Sequence, residues 1–269
     1  MNVTGGLVSV GAMRRFLIFA IVPALLAFPA SALAIVNVEQ AIIGPSEDGF
    51  HNRAEVAVDG SSGNTVKTTA RAELLSQWQH GRHAEFLWGQ YAYGKSSGVV
   101  DTNRYFVHLR HRTMVGERWG VEVFGQIGRD PFARMSLRTL LGGGVRWTLM
   151  EKANKAAVYF GLGAFHEHEK LSPKAGTTDA LDSRLWRGNS YLVLKGQLND
   201  HVRLYNTTYY QPAFRDMADY RILEQFSVAV GLAENLDLKL SLDVVHDSKP
   251  PQGVRKTDVR YSTGLAVDF

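Results

Sequence analysis

The chain has 269 residues, with 30 Lys and Arg against 26 Asp and Glu, and it contains no cysteine. Disulfide bridges and thiol chemistry are therefore excluded, and a formal net charge of +4 gives no indication of a nucleic-acid partner. A chain of this length is ample for one barrel domain.

The amino-terminal segment has the three parts of a secretory signal peptide. Arg14 and Arg15 precede an apolar run over 16–28, and the small residues Ala32 and Ala34 follow it. We predict cleavage after Ala34, with cleavage after Ala32 as the alternative. A membrane-spanning helix is the competing interpretation, but the run is shorter than the roughly 20 apolar residues that a span needs, and prolines interrupt it.

Alternation of apolar and polar residues recurs along the rest of the chain. It is strongest over 119–128, 135–149 and 236–244, where apolar side chains form one series and small, polar or charged side chains form the other. Because a strand sends alternate side chains to opposite faces, each of these segments is predicted to be a strand with one apolar face. No stretch after position 34 is apolar over enough residues to cross a membrane as a helix.

Weaker alternation and the connections between segments predict the architecture. The weaker strands cover 53–58, 65–78, 85–93, 104–113, 156–166, 183–198, 202–211 and 220–232, and a last strand ends the chain. The connections between the strands alternate between short turns and longer segments. The longer segments are 59–64, 95–102, 130–134, 170–182, 212–219 and 247–255. This pattern predicts an all-β fold, a transmembrane antiparallel up-and-down β-barrel of about 12 strands. A soluble β-sandwich or lipocalin-like barrel is the alternative.

The last strand predicts where the barrel is located. Tyr261, Leu265, Val267 and Phe269 lie on one face of an alternating segment that runs to the final residue. This ending resembles the carboxyl-terminal insertion signal of bacterial outer-membrane barrels, which the barrel-assembly machinery reads. The predicted organisation is a cleaved signal peptide at 1–34, a short periplasmic segment at 35–49 and an outer-membrane barrel at 50–269, with outer-membrane lipids around it.

Several short motifs resemble one known family. They are Phe-Gly-Gln at 124–126, Leu-Arg-Thr-Leu-Leu-Gly-Gly-Gly-Val-Arg at 137–146, Gly-Asn-Thr at 63–65, Asn-Arg-Tyr at 103–105 and Asp-Ser-Lys-Pro-Pro at 247–251. In these motifs the chain resembles the salt-induced outer-membrane protein family (YdiY-like). The resemblance implies an outer-membrane barrel, a connection with salt stress and no catalytic residues to carry over.

Charged residues in the polar series are predicted to face the lumen. They are Arg104, Arg110, Arg112, Glu122, Arg138, Arg146, Asp237, Lys239 and Asp243. Unpaired charge in a narrow lumen is costly, so we expect cross-strand pairs of Arg with carboxylates. The preferred interpretation is a salt-bridged, water-poor interior and a structural role. A small pore for ions or solutes, with arginines that favour anions, is the other interpretation.

Residues 246–248 raise the alternative of a lipid hydrolase. Outer-membrane phospholipases and lipid A deacylases use a His-x-Ser of the kind formed by His246 and Ser248. Those families continue with Asn-Gly or a similar pair, whereas this chain continues with Lys-Pro-Pro. A turn before the prolines explains the same residues. We therefore expect no enzymatic activity and keep a hydrolase using His246 and Ser248 as the alternative.

Two other motifs are interpreted as structural. The segment 166–169 places two imidazoles on one strand face and two carboxylates on the other, and the sequence supplies no further zinc ligand, so we interpret it as a solvated strand end. The run 142–144 is three glycines without the Lys and helix of a phosphate-binding loop, which favours close packing or a bend in the wall. No metal or cofactor is expected.

Overall fold

The structure, a computed structural model, describes residues 48–62, 66–152, 155–233 and 236–267. The strands within these residues are β1 Gly49–Ser61, β2 Lys67–His80, β3 His83–Ser96, β4 Val99–Met114, β5 Trp119–Asp130, β6 Met135–Lys152, β7 Ala156–Leu171, β8 Asp182–Asn199, β9 Val202–Ala213, β10 Asp216–Ala233, β11 Leu236–Asp247 and β12 Thr257–Val267. One 3-10 turn, Pro131–Ala133, separates β5 from β6. The predicted signal peptide and most of the predicted periplasmic segment lie outside the described residues.

Each strand pairs antiparallel with its neighbours in sequence. The hydrogen-bonded order runs from β1 to β12 without a crossover across the described part of the chain. The three segments with the strongest alternation form β5, β6 and β11. The prediction of an all-β, up-and-down architecture of about twelve strands is therefore confirmed.

Contacts between distant strands show that the sheet curls around an interior. The Tyr191 hydroxyl on β8 donates a hydrogen bond of 2.8 Å to Glu122 on β5. Arg221 on β10 likewise bonds Glu167 on β7. Each pair is separated by three strand spacings, which in a flat sheet would be about 14 Å. The wall must therefore be strongly curved, with these side chains on its concave face.

The polarity of the two faces is the reverse of that in a soluble barrel. On the outer face, Val123, Leu141 and Leu162 are 54%, 71% and 56% exposed. On the inner face, Glu122 and Arg138 are 4% and 2% exposed. Apolar side chains that face outward around a charged interior are typical of a barrel with lipid as its solvent. The soluble-barrel alternative predicts the opposite arrangement.

Aromatic rings lie near both ends of the strands. At the end with the short turns, Trp119 stacks on Trp147 at 5.1 Å between ring centroids. At the opposite end, called the loop end below, Tyr220 lies 5.8 Å from Tyr210 and 5.6 Å from His246. Two such girdles match the two interfaces of a bilayer. None of the helical structure in the described residues is long and apolar enough to cross a membrane.

Two connections at the loop end are tighter than the sequence predicts. The expected loop over 95–102 is mostly strand, and only Ser97 and Gly98 connect β3 to β4. Their φ angles of 49° and 81° are those of a two-residue hairpin turn that matches strand twist. The expected loop over 212–219 is reduced in the same way to the two residues between β9 and β10. Gly, Ser, Pro and Asp occur in tight turns as well as in long loops. Their presence therefore does not predict the length of a connection, and both predicted loops were too long.

Glycines bring the backbones of β6 and β7 unusually close together. Gly144 pairs with Gly163 across the two strands. A Cβ atom added at Gly163 would lie 2.2 Å from the carbonyl oxygen of Gly143, and one added at Gly144 would lie 2.5 Å from that of Leu162. Only glycine fits such an approach. Of the two roles that the sequence predicts for the glycine run, close packing or a bend in the wall, the structure shows the close packing.

Candidate functional site

A buried carboxylate, Glu167, occupies the centre of the interior near the loop end. Its side chain is 1% exposed and lies on the inner face of β7. Arg138 Nε on β6 donates to Oε1 at 2.5 Å, and Arg187 Nε on β8 donates to Oε2 at 2.6 Å. Arg221 Nη1 on β10 also donates to Oε1. One carboxylate thus joins three other strands.

Three further carboxylates pair with these arginines. Glu169 Oε2 lies 3.2 Å from Arg221 Nη2, and Asp247 Oδ2 lies 2.9 Å from Arg221 Nε. Asp219 Oδ1 lies 2.9 Å from Arg187 Nη2. The Glu167 cluster, as it is called below, consists of Arg138, Arg187, Arg221, Glu167, Glu169, Asp219 and Asp247. Because buried charges are costly unless paired, this degree of pairing is what permits the cluster to exist in the interior.

An apolar layer lies on the short-turn side of the Glu167 cluster. Phe165 precedes Glu167 in the inner series of β7 and is 0% exposed. It packs with Phe124 and Leu140, which are each 8% exposed. The rings of Phe124 and Phe165 are 6.3 Å apart in an edge arrangement. These side chains exclude water from the middle of this part of the lumen.

A second charged group lies beyond the apolar layer. Glu122 accepts hydrogen bonds from Arg112 Nε at 2.5 Å and from Arg110 Nη1 at 3.4 Å. The Arg146 guanidinium lies 3.9 Å from the centre of the Tyr159 ring, within the range of a cation–π contact. Charged, apolar and charged layers therefore follow one another along the inner faces of β4 to β10.

The structure places most of the predicted lumen residues in the interior. Arg110, Arg112, Glu122, Arg138 and Arg146 are buried, and Arg104, Asp237 and Asp243 are half-buried. Asp237 pairs with Arg203, and Asp243 accepts a hydrogen bond of 2.9 Å from Gln225. The side chain of Lys239 lies outside the described part of the structure.

The predicted assembly residues fall at the edge of the described chain. Tyr261 on β12 is 67% exposed. The backbones of Leu265 and Val267 continue that strand, which is described to Val267. Phe269 lies outside the described residues, so its role remains a prediction.

Sequence reasoning missed the residues at the centre of the site. The interpretation of 166–169 as a solvated strand end was wrong for Glu167, which is buried. Alternation along β7 sends Glu167 and Glu169 inward and leaves His166 and His168 on the outer face. The inner series that contains Phe165 reaches Glu167 two positions later, so extending the strand would have found it. Arg187 and Arg221 lie on strands with weak alternation and gave a poorer signal.

A second set of contacts, here called the loop latch, ties three connections together at the loop end. Arg134, which follows β5, is 7% exposed. Its Nη1 donates to Asp179 Oδ2 at 2.5 Å and to the Gln252 carbonyl at 2.9 Å. Its Nη2 donates to the carbonyl of Ser172 at 3.2 Å and to Thr177 Oγ1 at 3.3 Å. The latch thus joins the connections after β5, β7 and β11 above the interior.

Ionisation of Asp179 makes the loop latch sensitive to acid. The hydrogen bond from Arg134, and next that from the Gln252 amide, lower the pKa of the Asp179 carboxyl from its ordinary value of 3.8. A lowered pKa stabilises the folded loops at every pH above the ordinary value. That contribution is lost only as the pH falls through the lowered pKa, so the latch persists at neutral and mildly acidic pH.

The structure gives His246 and Ser248 partners other than each other. His246 Nδ1 lies 2.8 Å from Thr257 Oγ1. Ser248 Oγ donates to the Ala218 carbonyl at 2.9 Å and accepts from the Tyr220 amide at 2.8 Å. The nucleophile–base hydrogen bond that a hydrolase needs is therefore not formed. Among the described residues, no group of three or more His, Asp or Glu side chains could hold a metal ion.

The curved antiparallel wall, its apolar outer face and its charged interior define an outer-membrane-type transmembrane β-barrel. The chain belongs to the family described as "Protein of unknown function, DUF481", which matches residues 54–269. This is the family that the short motifs of the sequence indicate. No curated protein matches the chain.

Three solved structures are similar to this chain over most of its length. The NanC porin is 13% identical, with 81% of this chain and 99% of that chain covered and a TM-score of 0.47. The translocator domain of the autotransporter NalP from Neisseria meningitidis is 12% identical, with coverages of 84% and 90% and a TM-score of 0.46. The beta domain of the Bordetella autotransporter BrkA is 11% identical, with coverages of 82% and 96% and a TM-score of 0.38.

Proposed function

We propose that this chain is an integral protein of the bacterial outer membrane that has a structural role in the envelope and remains closed at rest. The supporting observation is the filled interior. The Glu167 cluster, the apolar layer and the second charged group, which contains Glu122, follow one another along β4 to β10. Paired charges and packed rings leave this part of the lumen poor in water. The protein acts through its stable wall and its surfaces, and not through catalysis or transport.

The proposed location rests on the sequence of both ends and on the exposed apolar belt. A signal peptide exports the chain, the barrel-assembly machinery recognises the alternating terminal strand, and outer-membrane lipids then cover the outer face. The expected result is recovery of the protein in the outer-membrane fraction, with faster gel migration before boiling than after it. Recovery in the soluble periplasmic fraction would contradict this location.

Conductance across a planar bilayer tests the closed state. The wild-type barrel is expected to give no sustained conductance steps, because the barrier is the packed interior. Arg134→Ala releases the loop latch but leaves the packed interior intact. This variant is therefore also expected to give no conductance steps. Its loops should nevertheless be cleaved faster by trypsin at the exposed Lys174.

Two results of the bilayer measurement would contradict the closed state. Sustained steps in the wild type would show an open lumen. Conductance steps that occur only in Arg134→Ala would show that the barrier is the loop latch and not the packed interior. Insertion of each sample is verified beforehand by the mobility difference between unboiled and boiled protein.

A small pore that favours anions is the second candidate, and the surroundings of Arg138 support it. Its Nη1 and Nη2 atoms have no hydrogen-bond partner within the described structure. Arg138 also lines a small cavity together with Arg104, Gln126 and Asp130. Guanidinium donors at such a cavity can bind water or a small anion. If steps occur in the wild type, the sign of the reversal potential in a KCl gradient identifies the preferred ion.

A connection with salt stress is proposed on the family resemblance alone. The motifs that carry it lie mainly in β5, β6 and the connection before β12. Comparing the abundance of the protein in cultures of the source bacterium at low and high NaCl tests this proposal. An abundance that does not change with salt would contradict it.

A further inference from the structure

The outer surface of β7 and β8 changes character at one height. On β7, the outward series toward the loop end is Val158, Phe160, Leu162, Ala164, His166, His168 and Lys170. On β8, the outward series in the same direction is Leu194, Leu192, Ser190, Gly188, Trp186, Arg184 and Asp182. Apolar or small residues thus give way to aromatic and then charged residues on both strands. The change falls in one cross-strand row, since His166 pairs with Trp186.

This row has the features of the boundary between hydrocarbon and headgroups. Trp186 is 55% exposed and its ring lies 5.5 Å from that of His166. Leu141, which pairs with His166 from the other side, is 71% exposed. From Val158 to His166 the strand rises about 20 Å when it is tilted by about 40°, close to the roughly 25 Å of an apolar band. The residues beyond this row therefore lie among headgroups.

The outward charge beyond the boundary is mainly positive. His168 pairs with Arg184, and Lys170 pairs with Asp182 in the next row. Lys170 is exposed, and the Arg184 side chain is 65% exposed. The acids of the same β7 segment point into the Glu167 cluster and so do not cancel this charge outside. Strand alternation alone separates the two signs.

One carboxylate, Asp182, lies within the positive patch. Both of its oxygens lie 3.1 Å from His168 Nε2. Its Oδ1 is 3.6 Å from Arg184 Nε, a long contact for an ion pair. Asp182 therefore orients the imidazole, and the Arg184 side chain remains largely exposed.

We infer that Lys170, His168 and Arg184 bind the phosphate of an anionic lipid headgroup in the leaflet at the loop end. His168 lies directly opposite Arg184, and Lys170 lies on the diagonal from Arg184. Diagonal neighbours are about 7–8 Å apart, which long side chains can span, so these residues can contact one phosphate together. Trp186, one row lower, packs against the lipid where its chains begin. A phosphorylated lipid fits this patch better than a soluble anion because the cations lie directly above an apolar belt.

Titration of the detergent-purified barrel with lipid A, followed by native mass spectrometry, tests this inference. The variant Lys170→Ala/Arg184→Ala removes both strand cations. Each cation near an anionic surface contributes about a fivefold effect, so the loss of both should weaken lipid A binding about 25-fold. The matched control is Arg215→Ala/Lys249→Ala. It removes two exposed cations at the loop end that do not belong to the positive patch on β7 and β8. It should bind lipid A like the wild type.

Three results would overturn the inference. Equal lipid A affinity of Lys170→Ala/Arg184→Ala and the wild type would show that these two side chains do not bind the lipid. Equal wild-type affinity for lipid A and for phosphatidylcholine would remove the selectivity for negative charge. Displacement of lipid A by millimolar inorganic phosphate would identify a site for soluble anions. Charge-preserving Lys170→Arg/Arg184→Lys should keep most of the binding, and all variants must show the mobility difference of a folded barrel.

Discussion

Replacing Glu167 by Gln is expected to destabilise the barrel by about 3–5 kcal/mol, the usual cost of removing one partner from a buried ion pair. Arg138 and Arg187 are each 2% exposed, and Arg221 is 5% exposed. After the substitution they would share a neutral amide whose NH₂ group faces guanidinium donors. A water molecule from the small cavity beside Arg138 would be neutral, so it could not replace the lost negative charge.

The neighbouring Glu169→Gln variant is the matched control. Glu169 has the same side chain and the same inward direction two residues further along β7. Its side chain is 14% exposed, and its partner Arg221 keeps contacts with Glu167 and Asp247. We expect a cost of about 1 kcal/mol or less for this control, as for a partly solvated pair.

Urea unfolding of both variants in lipid vesicles, followed by tryptophan fluorescence, provides the comparison. The wild type should have the highest midpoint, Glu169→Gln should lie close to it, and Glu167→Gln should unfold at much lower urea. Equal midpoints for the two variants would show that the cluster does not depend on its central carboxylate. If Glu167→Gln does not fold at all, Glu167→Asp, which keeps the charge on a shorter side chain, should restore part of the stability.

The sequence predicts the wall of the barrel better than its contents. Alternation alone places Glu122 and Arg138 on inner faces, because the direction of a side chain in a strand depends only on its position. The choice of partner depends on curvature, which alternation does not encode. Arg221 reaches Glu167 across three strand spacings, and a flat pattern gives no indication of this contact. Interior side chains are therefore predictable one strand at a time, whereas their network is not.

The loop latch could not be predicted for a related reason. Arg134 and Gln252 are 118 positions apart and lie in segments without periodicity. Their contact depends on how far the loops extend over the loop end of the barrel. It also depends on how the curvature of the barrel brings the ends of these loops together. Local sequence indicated only that these segments connect strands.

One short segment connects the interior to the outer surface. Residues 166–170 send two carboxylates into the Glu167 cluster and two imidazoles and a lysine toward the lipid. Displacing the register of β7 by one residue would exchange these faces and place carboxylates among the headgroups. The buried cluster thus fixes the register of β7, and that register determines the charge of the outer surface. Stability and surface recognition are coupled through a single strand.

Replacing Gly163 by Ala is the second substitution expected to have a large effect. The added Cβ would lie 2.2 Å from the Gly143 carbonyl oxygen and 2.7 Å from Gly144 Cα. Both atoms belong to the backbone, so no side chain can rotate away. Relief requires β6 and β7 to separate, with loss of ladder hydrogen bonds. We expect a cost of at least the roughly 1–3 kcal/mol that overpacking a core usually has.

Gly89→Ala on β3 is the matched control, because a Cβ there would meet no atom within 4 Å. Glycine within a strand is less favourable than alanine by about 0.5–1 kcal/mol, so this control should be neutral or slightly stabilising. The folded fraction of each variant after refolding into vesicles, measured by gel mobility before boiling, separates the two effects. Similar folded fractions for both variants would show that β6 and β7 can move apart at little cost. A loss confined to Gly163→Ala would establish that glycine at this position is required for the close approach of β6 and β7.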